Sequence, residues 1–304
     1  MELRSYWSRC VLLCALLVVS SAFATPELDV YSFGGSLPSA GSYDWWYGCS
    51  PTSTGMLLGW YDRNGYSNLV PGGDAETSTF GNPIALVNSA IASSGHINDF
   101  YGGLSPSGGY NISGDDVVSP LHSFDCLADF MGTSQDAYDN SNGTTKFYFY
   151  TDNSPLTADD IYSAGYNNDY KTDYYNIDGM YGIGEYIQYA GYDAATLYSQ
   201  RIYGYDGIEA GFTYEQYKAE IDAGRGVLIH VQGHTMYGYG YIDGTTTIQV
   251  YDTWAPDGQN PGTMAWGGSY GSMAHLGVTV VQIIPEPMTM VLLTLGSLMI
   301  RRRE

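Results

Sequence analysis

The sequence predicts an α+β fold, and three observations carry that prediction. The N-terminal half has helical spacing of apolar residues, and the C-terminal third has four short apolar runs, most of them joined by glycine-containing links. Between them stands a helix-capping pattern, and runs of helix followed by runs of strand describe an α+β arrangement.

The elements follow in order. Ser50 and Pro51 are an N-cap and a first helical residue, so a helix begins directly after Cys49. Gly55 and Gly59, one turn apart inside it, each cost about 1 kcal/mol, which implies that a neighbour approaches the helix closely. Ile84 to Ser93 reads as a second helix closed near Gly95, and Ser119 to Gly132 as a third, with Cys126 on it. Residues 96–120 and 133–174 read as polar loops, except for a β-run at Lys146 to Tyr150. Thr213 and Gln216 form a capping box with a Phe212–Tyr217 staple, so a helix runs to Ala223 and stops at Gly224. Strands are expected at Val227–Val231, His234–Ile242, Thr246–Asp252 and Leu276–Ile284, as an antiparallel sheet.

Both ends look like targeting segments. Arg4 and Arg9, the apolar run Val11–Val19 and the small residues Ala22-Phe23-Ala24 describe a secretory signal peptide cleaved after Ala24. At the other end Pro285-Glu286-Pro287 precedes the uncharged stretch Met288–Ile300 and Arg301-Arg302-Arg303. That stretch is shorter than the roughly 20 residues of a spanning helix, so it reads as a processed tail rather than a permanent anchor.

Residues 25–284 are left as one domain. With the ends set aside it holds 6 basic and 29 acidic residues, a balance near −23. Nucleic acid and anionic lipid are thereby excluded as partners, because phosphate contacts need Lys and Arg. Tyr numbers 30 and Lys only 3, which suggests a loop-rich extracellular surface with aromatic contacts. The acidic segments Asp115-Asp116, Asp159-Asp160 and 136–142 lack the D-x-[DN]-x-[DN]-G order of a calcium loop and read as solvated loops. No cofactor or metal site is predicted.

Removal of the leader takes Cys10 and Cys14 with it and leaves Cys49 and Cys126. In an oxidising compartment a disulfide between them is one reading. The other is that Cys49, at the positive end of a helix dipole, is an acidic thiol suited to nucleophilic attack. Such a nucleophile needs a histidine base oriented by an acid or amide. Among five histidines, His234 begins a strand and Asp252 ends the next, while His230 suits a core role. An odd hairpin loop, Asp243-Gly244-Thr245, is expected, because it places His234 and Asp252 on one face. Trp45, Trp46, Tyr47 and Trp60, with Trp254 after Asp252, are candidates for lining a cleft.

The stretches WWYGCSPT (Trp45–Thr52), GRGVLIHVQGHTMYGYGYID (Gly224–Asp243) and TIQVYDTW (Thr247–Trp254) resemble a C39-like, papain-like cysteine peptidase domain. The tail 285–304 resembles the PEP-CTERM sorting signal of Gram-negative, exopolysaccharide-producing bacteria. The first resemblance implies a papain-like fold with Cys49 as nucleophile, His234 as general base and acid, Asp252 as the residue orienting His234, and peptide or protein as substrate. A glutamine usual in that family before the cysteine is replaced by Asp44 or Tyr43, so Asp44, Tyr43, Trp45, Trp46 and the Cys49 N–H are the oxyanion candidates. The second resemblance implies export, transient inner-membrane anchoring, processing by an exosortase-type enzyme through residues 285–304, then residence at the cell surface or in the matrix, with an association with exopolysaccharide as a further possibility. The alternative function is an inactive peptidase-fold surface or matrix protein that binds polysaccharide or protein.

Overall fold

The structure, a computed structural model, describes residues 35–101, 122–135, 140, 143–164, 178–254 and 262–284. The predicted leader and tail, Asp115-Asp116 and most of 136–142 lie outside the described residues. The chain divides into two compact units, 1–31 and 32–304, and every described residue belongs to the second.

Helix α1 (Cys49–Arg63) is buried along its whole length from Ser50 to Asp62. A helix enclosed on all sides needs small residues where its neighbours come nearest. A Cβ on Gly55 would sit 2.5 Å from Ile91, and one on Gly59 would sit 2.4 Å from the Tyr43 hydroxyl. The close neighbours are thus side chains. Asp62, near the end of α1, accepts from the Val70 and Ala75 amides at 3.0 and 2.9 Å and so ties down the loop that follows. Glu76 receives the Leu86 and Val87 amides at 2.6 and 3.2 Å, supplying acceptors at the start of α2 (Leu86–Ile91).

The next stretch departs from the sequence reading. Gly95 does not close α2; it lies inside α3 (Ser94–Tyr101), where a Cβ would meet the His122 ring at 2.6 Å. From His122 onward, the predicted third helix is reduced to α4 (Leu127–Phe130), and Cys126 is its N-cap. Polar residues that looked like loop are helical because Phe100 and Tyr101 are buried by tertiary contacts. Lys146–Tyr150 forms no strand. Unforeseen elements are β1 (Leu156–Thr157), α5 (Ala158–Ala164), α6 (Gly179–Tyr189) and β2 (Asp193–Arg201).

The C-terminal part follows its prediction closely. Helix α7 (Tyr214–Asp222) has both capping-box bonds between Thr213 and Gln216. Then come β3 (Val227–Val231), β4 (His234–Tyr241), β5 (Thr247–Tyr251), β6 (Gly262–Ala265), β7 (Ser269–Tyr270) and β8 (Met273–Ile284). All pairs are antiparallel, in the order β1-β2-β8-β3-β4-β5-β6, with β7 paired to β8. Strand β4 is buried on both faces, between α1 and α7. Leu228, Tyr237 and Tyr239 join the core that holds α1, while Ile229, Met236 and Tyr241 join the one that holds α7.

Tyr239 and Tyr241 differ by two residues yet enter opposite cores, which period-two alternation forbids in a regular strand. A bulge between Gly238 and Gly240 explains this. The hairpin loop itself corrects the prediction. The Ile242 amide donates to Thr247 at 2.9 Å, so the loop is the even set Asp243–Thr246. The extra residue needed to shift the faces is supplied by the bulge. With Gly238 opposite Val250, alternation carries Asp252 to the side of His234.

Replacing Gly55 with Ala should destabilise the fold by about 1–3 kcal/mol, the usual cost of overpacking a tight core. Denaturant unfolding of Gly55→Ala, alone and combined with Ile91→Ala, checks that packing sets the loss: the pair should cost less than the sum of the two single changes, because the truncated Ile91 no longer meets the added Cβ.

Candidate active site

The thiol is placed by the residues before α1. Tyr47 has φ 57° and Gly48 φ 157°, and a Cβ on Gly48 would lie 2.8 Å from both Pro51 and Thr133. Only glycine fits that crowded turn. Gly48 is the N-cap, Cys49 the first helical residue, and the helix begins two residues before the predicted start. Ser50 therefore does not cap; its hydroxyl donates to Thr235 Oγ1 at 3.0 Å. Pro51 falls where the helix needs no N–H, since the first ladder bond runs from the Thr52 amide to Gly48 at 3.1 Å.

Cys49 is partly exposed and Cys126 is buried, and neither is in a disulfide, so the disulfide reading falls. Desolvation alone raises the Cys49 pKa, but hydrogen bonding and the charge of His234, the Thr235 main chain and the Ser50 hydroxyl together bring it below the ordinary thiol value. Cys126 goes the other way, because burial and the Asp129 charge push its pKa well up. Of the two thiols, Cys49 alone has an environment that favours a thiolate.

His234 is 5 % exposed, at the start of β4. Its Nε2–H donates to the main-chain oxygen of Asp252 at 2.6 Å. A carbonyl only accepts, so the proton on the neutral ring resides on Nε2 and the Nδ1 lone pair is left for the thiol. The Asp252 carboxylate is engaged elsewhere: it accepts from the Trp254 amide at 2.9 Å and from the Tyr270 hydroxyl at 2.6 Å. Trp254 stacks on the imidazole with centroids 3.9 Å apart at 17°. Between them Thr253 holds φ 69°, a conformation costly for a β-branched residue, by about 1–3 kcal/mol. That strained residue turns the chain out of β5 so that a carbonyl and an indole both address His234. Its own carbonyl receives the Trp45 amide at 2.9 Å, linking the turn to the segment before Cys49.

The helix of the thiol and the strand of the imidazole are bonded directly. Besides Ser50, the Ser53 hydroxyl donates to the Thr235 main-chain oxygen at 2.9 Å. Thr235 Oγ1 is in turn 3.1 Å from Nδ1 of His230, whose Nε2 is 2.8 Å from Thr279 Oγ1, itself 2.8 Å from Ser199 Oγ. This buried polar chain runs from α1 across β4, β3 and β8 to β2. Burial, and then the neighbouring His275, hold the His230 pKa down to about 3, so it serves as a neutral hydrogen-bonding core residue, as its sequence position suggested.

The oxyanion and cleft candidates separate. The Trp46 indole donates to Ala92 at 3.1 Å, and the Tyr43 hydroxyl donates to Glu76 at 2.6 Å, so both donors are already used. Asp44 is partly exposed, and its amide donates to Thr79 Oγ1 at 2.8 Å. Trp45 is half-buried against Gly143, and its indole N–H makes no hydrogen bond among the described residues. Tyr47 and Trp60 are core residues, 2 % and 8 % exposed, while Trp254 is 52 % exposed beside His234. The apolar setting of α1 takes up the first two. Sequence reasoning missed Ser53, Thr235 and Tyr270; a Ser one turn beyond Ser50 on a buried helix is the single signal that pointed to the clamp.

Against protein-family models, known proteins and solved structures alike, the chain finds no match.

Alkylation of Cys49 by iodoacetamide should titrate with a midpoint below that of an ordinary cysteine, because His234 favours the thiolate. In His234→Ala the midpoint should rise, as mass spectrometry of the labelled peptide over a pH series would read. Stability carries a second signature. His230 titrates at about 3 and His275, also desolvated, at about 4, whereas unfolded histidine titrates at about 6.5. From there down to about pH 5 the unfolded chain binds the extra protons, so each neutral histidine loses stability as pH falls, by up to about 1.4 kcal/mol per pH unit. Asp178, raised to about 7 by burial, acts with the opposite sign over that window. The difference between wild type and His230→Gln isolates one histidine: the variant's urea midpoint should fall less steeply between pH 6.5 and 5.

Proposed function

We propose that the chain is a papain-like cysteine peptidase that works outside the cytoplasm. The observation that carries this reading is the first-turn thiol of Cys49, made acidic by His234. His234 Nδ1 takes the thiol proton, and the thiolate attacks a peptide carbonyl. The tetrahedral oxyanion receives the Cys49 N–H, an amide without a helical acceptor, and the Trp45 indole N–H. Nδ1 then gives its proton to the departing amine, and a thioester to Cys49 remains. Water, deprotonated by Nδ1, hydrolyses it and restores the thiol. Asp252 orients the imidazole through its main-chain oxygen, with Tyr270 holding the carboxylate.

Export is supported by residues 1–24, and exosortase-type processing at the inner membrane by the order Pro-Glu-Pro, apolar stretch and arginines in 285–304. Among the described residues no helix is long and apolar enough to cross a membrane. The acidic body favours neutral or basic peptides over acidic ones.

Purified chain should cleave members of a fluorogenic peptide library. Cys49→Ala should abolish turnover, and His234→Ala should cost about 10²–10⁴-fold, the range of general acid–base catalysis. Asp252→Asn should stay within about tenfold of wild type, because the main-chain contact survives and the new amide still accepts from Trp254. Turnover unchanged in Cys49→Ala would sink the reading. Cys49 alkylation at the free-thiol rate with no cleavage would favour the inactive binding protein.

A further inference from the structure

Away from Cys49, three fully buried groups of different ligand chemistry meet where α3 and α4 touch. His96, Cys126 and Asp129 are each 0 % exposed, and one ligand atom from each lies within 4.8 Å of the others. His96 Nδ1 is 2.7 Å from Asp129 Oδ1. The other carboxylate oxygen of Asp129 receives the Asp125 amide and His122 Nε2, both at 3.1 Å, and His122 Nδ1 is 2.6 Å from Asp99. The carboxylate is thus oriented by an outer ring of donors, the arrangement that fixes metal-binding carboxylates.

The imidazole of His96 is also incompletely paired, on the nitrogen across the ring from Asp129. Nε2 of His96 is buried and has no hydrogen-bond partner. A buried imidazole normally pairs both nitrogens, and here Asp129 serves only one. The neighbouring rings are Phe100 and Tyr101, with centroids 4.8 and 6.1 Å away.

We propose that His96, Cys126 and Asp129 form a buried site for a zinc-class divalent cation that fastens α3 to α4. The donor set of sulfur, nitrogen and carboxylate oxygen is that of zinc rather than of magnesium or calcium. Charge also balances. A thiolate and a carboxylate neutralise a divalent ion, which suits a position with no exposure. On binding, the Cys126 thiol loses its proton to solvent. Nδ1 of His96 ligates, and its proton moves to Nε2, the nitrogen that has no other partner to give up. The His96–Asp129 contact opens from a hydrogen bond to about 3.3 Å, the spacing of two donors about 2 Å from one tetrahedral ion. Water takes the fourth position.

The full chain, stripped by chelator, is titrated with Co²⁺ and then Zn²⁺. One equivalent of Co²⁺ should give thiolate-to-cobalt charge-transfer absorption, displaced by Zn²⁺, and Zn²⁺ should raise the melting temperature. The band should persist in Cys49→Ala and vanish in Cys126→Ser and His96→Gln. If either of these variants fails to fold, stoichiometric zinc on wild type and Cys49→Ala after gel filtration decides. No band, or a band lost in Cys49→Ala, means that the cluster is a hydrogen-bonded staple only and overturns the proposal. These readouts do not involve peptide cleavage, so the zinc site stands or falls apart from the peptidase reading.

Discussion

The seating of α1 on β4 is the contact on which the rest depends. Ser50 and Ser53 reach Thr235, one through its hydroxyl and one through its main chain, and Thr235 is the residue after His234. Hydrogen bonds closed away from water cannot be exchanged for solvent, so losing one leaves a buried group unpaired at about 1–3 kcal/mol. The spacing of thiol and imidazole is therefore held by contacts that do not include either of them. Gly55 and Gly59 serve the same end, since larger residues would push α1 off Ile91 and Tyr43.

A second constraint operates at the far side of the imidazole. Antiparallel pairing alone would carry β5 onward past Tyr251. The bulge at Tyr239 and the left-handed Thr253 redirect it, so the Asp252 carbonyl and the Trp254 ring both meet His234. Backbone strain here is a local cost set against fixed tautomer and shielding. A main-chain oxygen orients an imidazole as a side chain would, but with fewer rotatable bonds. The carboxylate is thereby released to hold Tyr270 and the Trp254 amide, stiffening the turn itself.

The two cores on either side of the sheet explain why the N-terminal and C-terminal parts differed in legibility. The α7 core is built from short-range patterns: a capping box, a strand alternation, a glycine stop. The α1 core gathers residues as distant as Leu57, Tyr186 and Ile283. Helix α3 and strand β2 are made of sequence that is polar or mixed, SGHINDFY and DAATLYSQR, and they form because β8 and the buried aromatics provide partners. Propensity gives no sign of such partners. Lys146–Tyr150 shows the converse, with ideal strand composition and no strand paired to it among the described residues.

What the sequence determined by itself was whatever depends on neighbours along the chain. That covers the cysteine at a helix entrance, the capping box, the four C-terminal strands, and the pairing of His234 with Asp252 as a candidate. Tertiary structure decided how those parts meet. It made Gly48 rather than Ser50 the cap, replaced the odd loop by a bulge, and turned the Asp252 carbonyl instead of its carboxylate toward His234. It committed the Trp46 indole to Ala92 and left that of Trp45 without a partner among the described residues. The physical reason is common to all of these. Register, bulges and side-chain partners are fixed by close packing between segments far apart in the chain, and no local window contains that information.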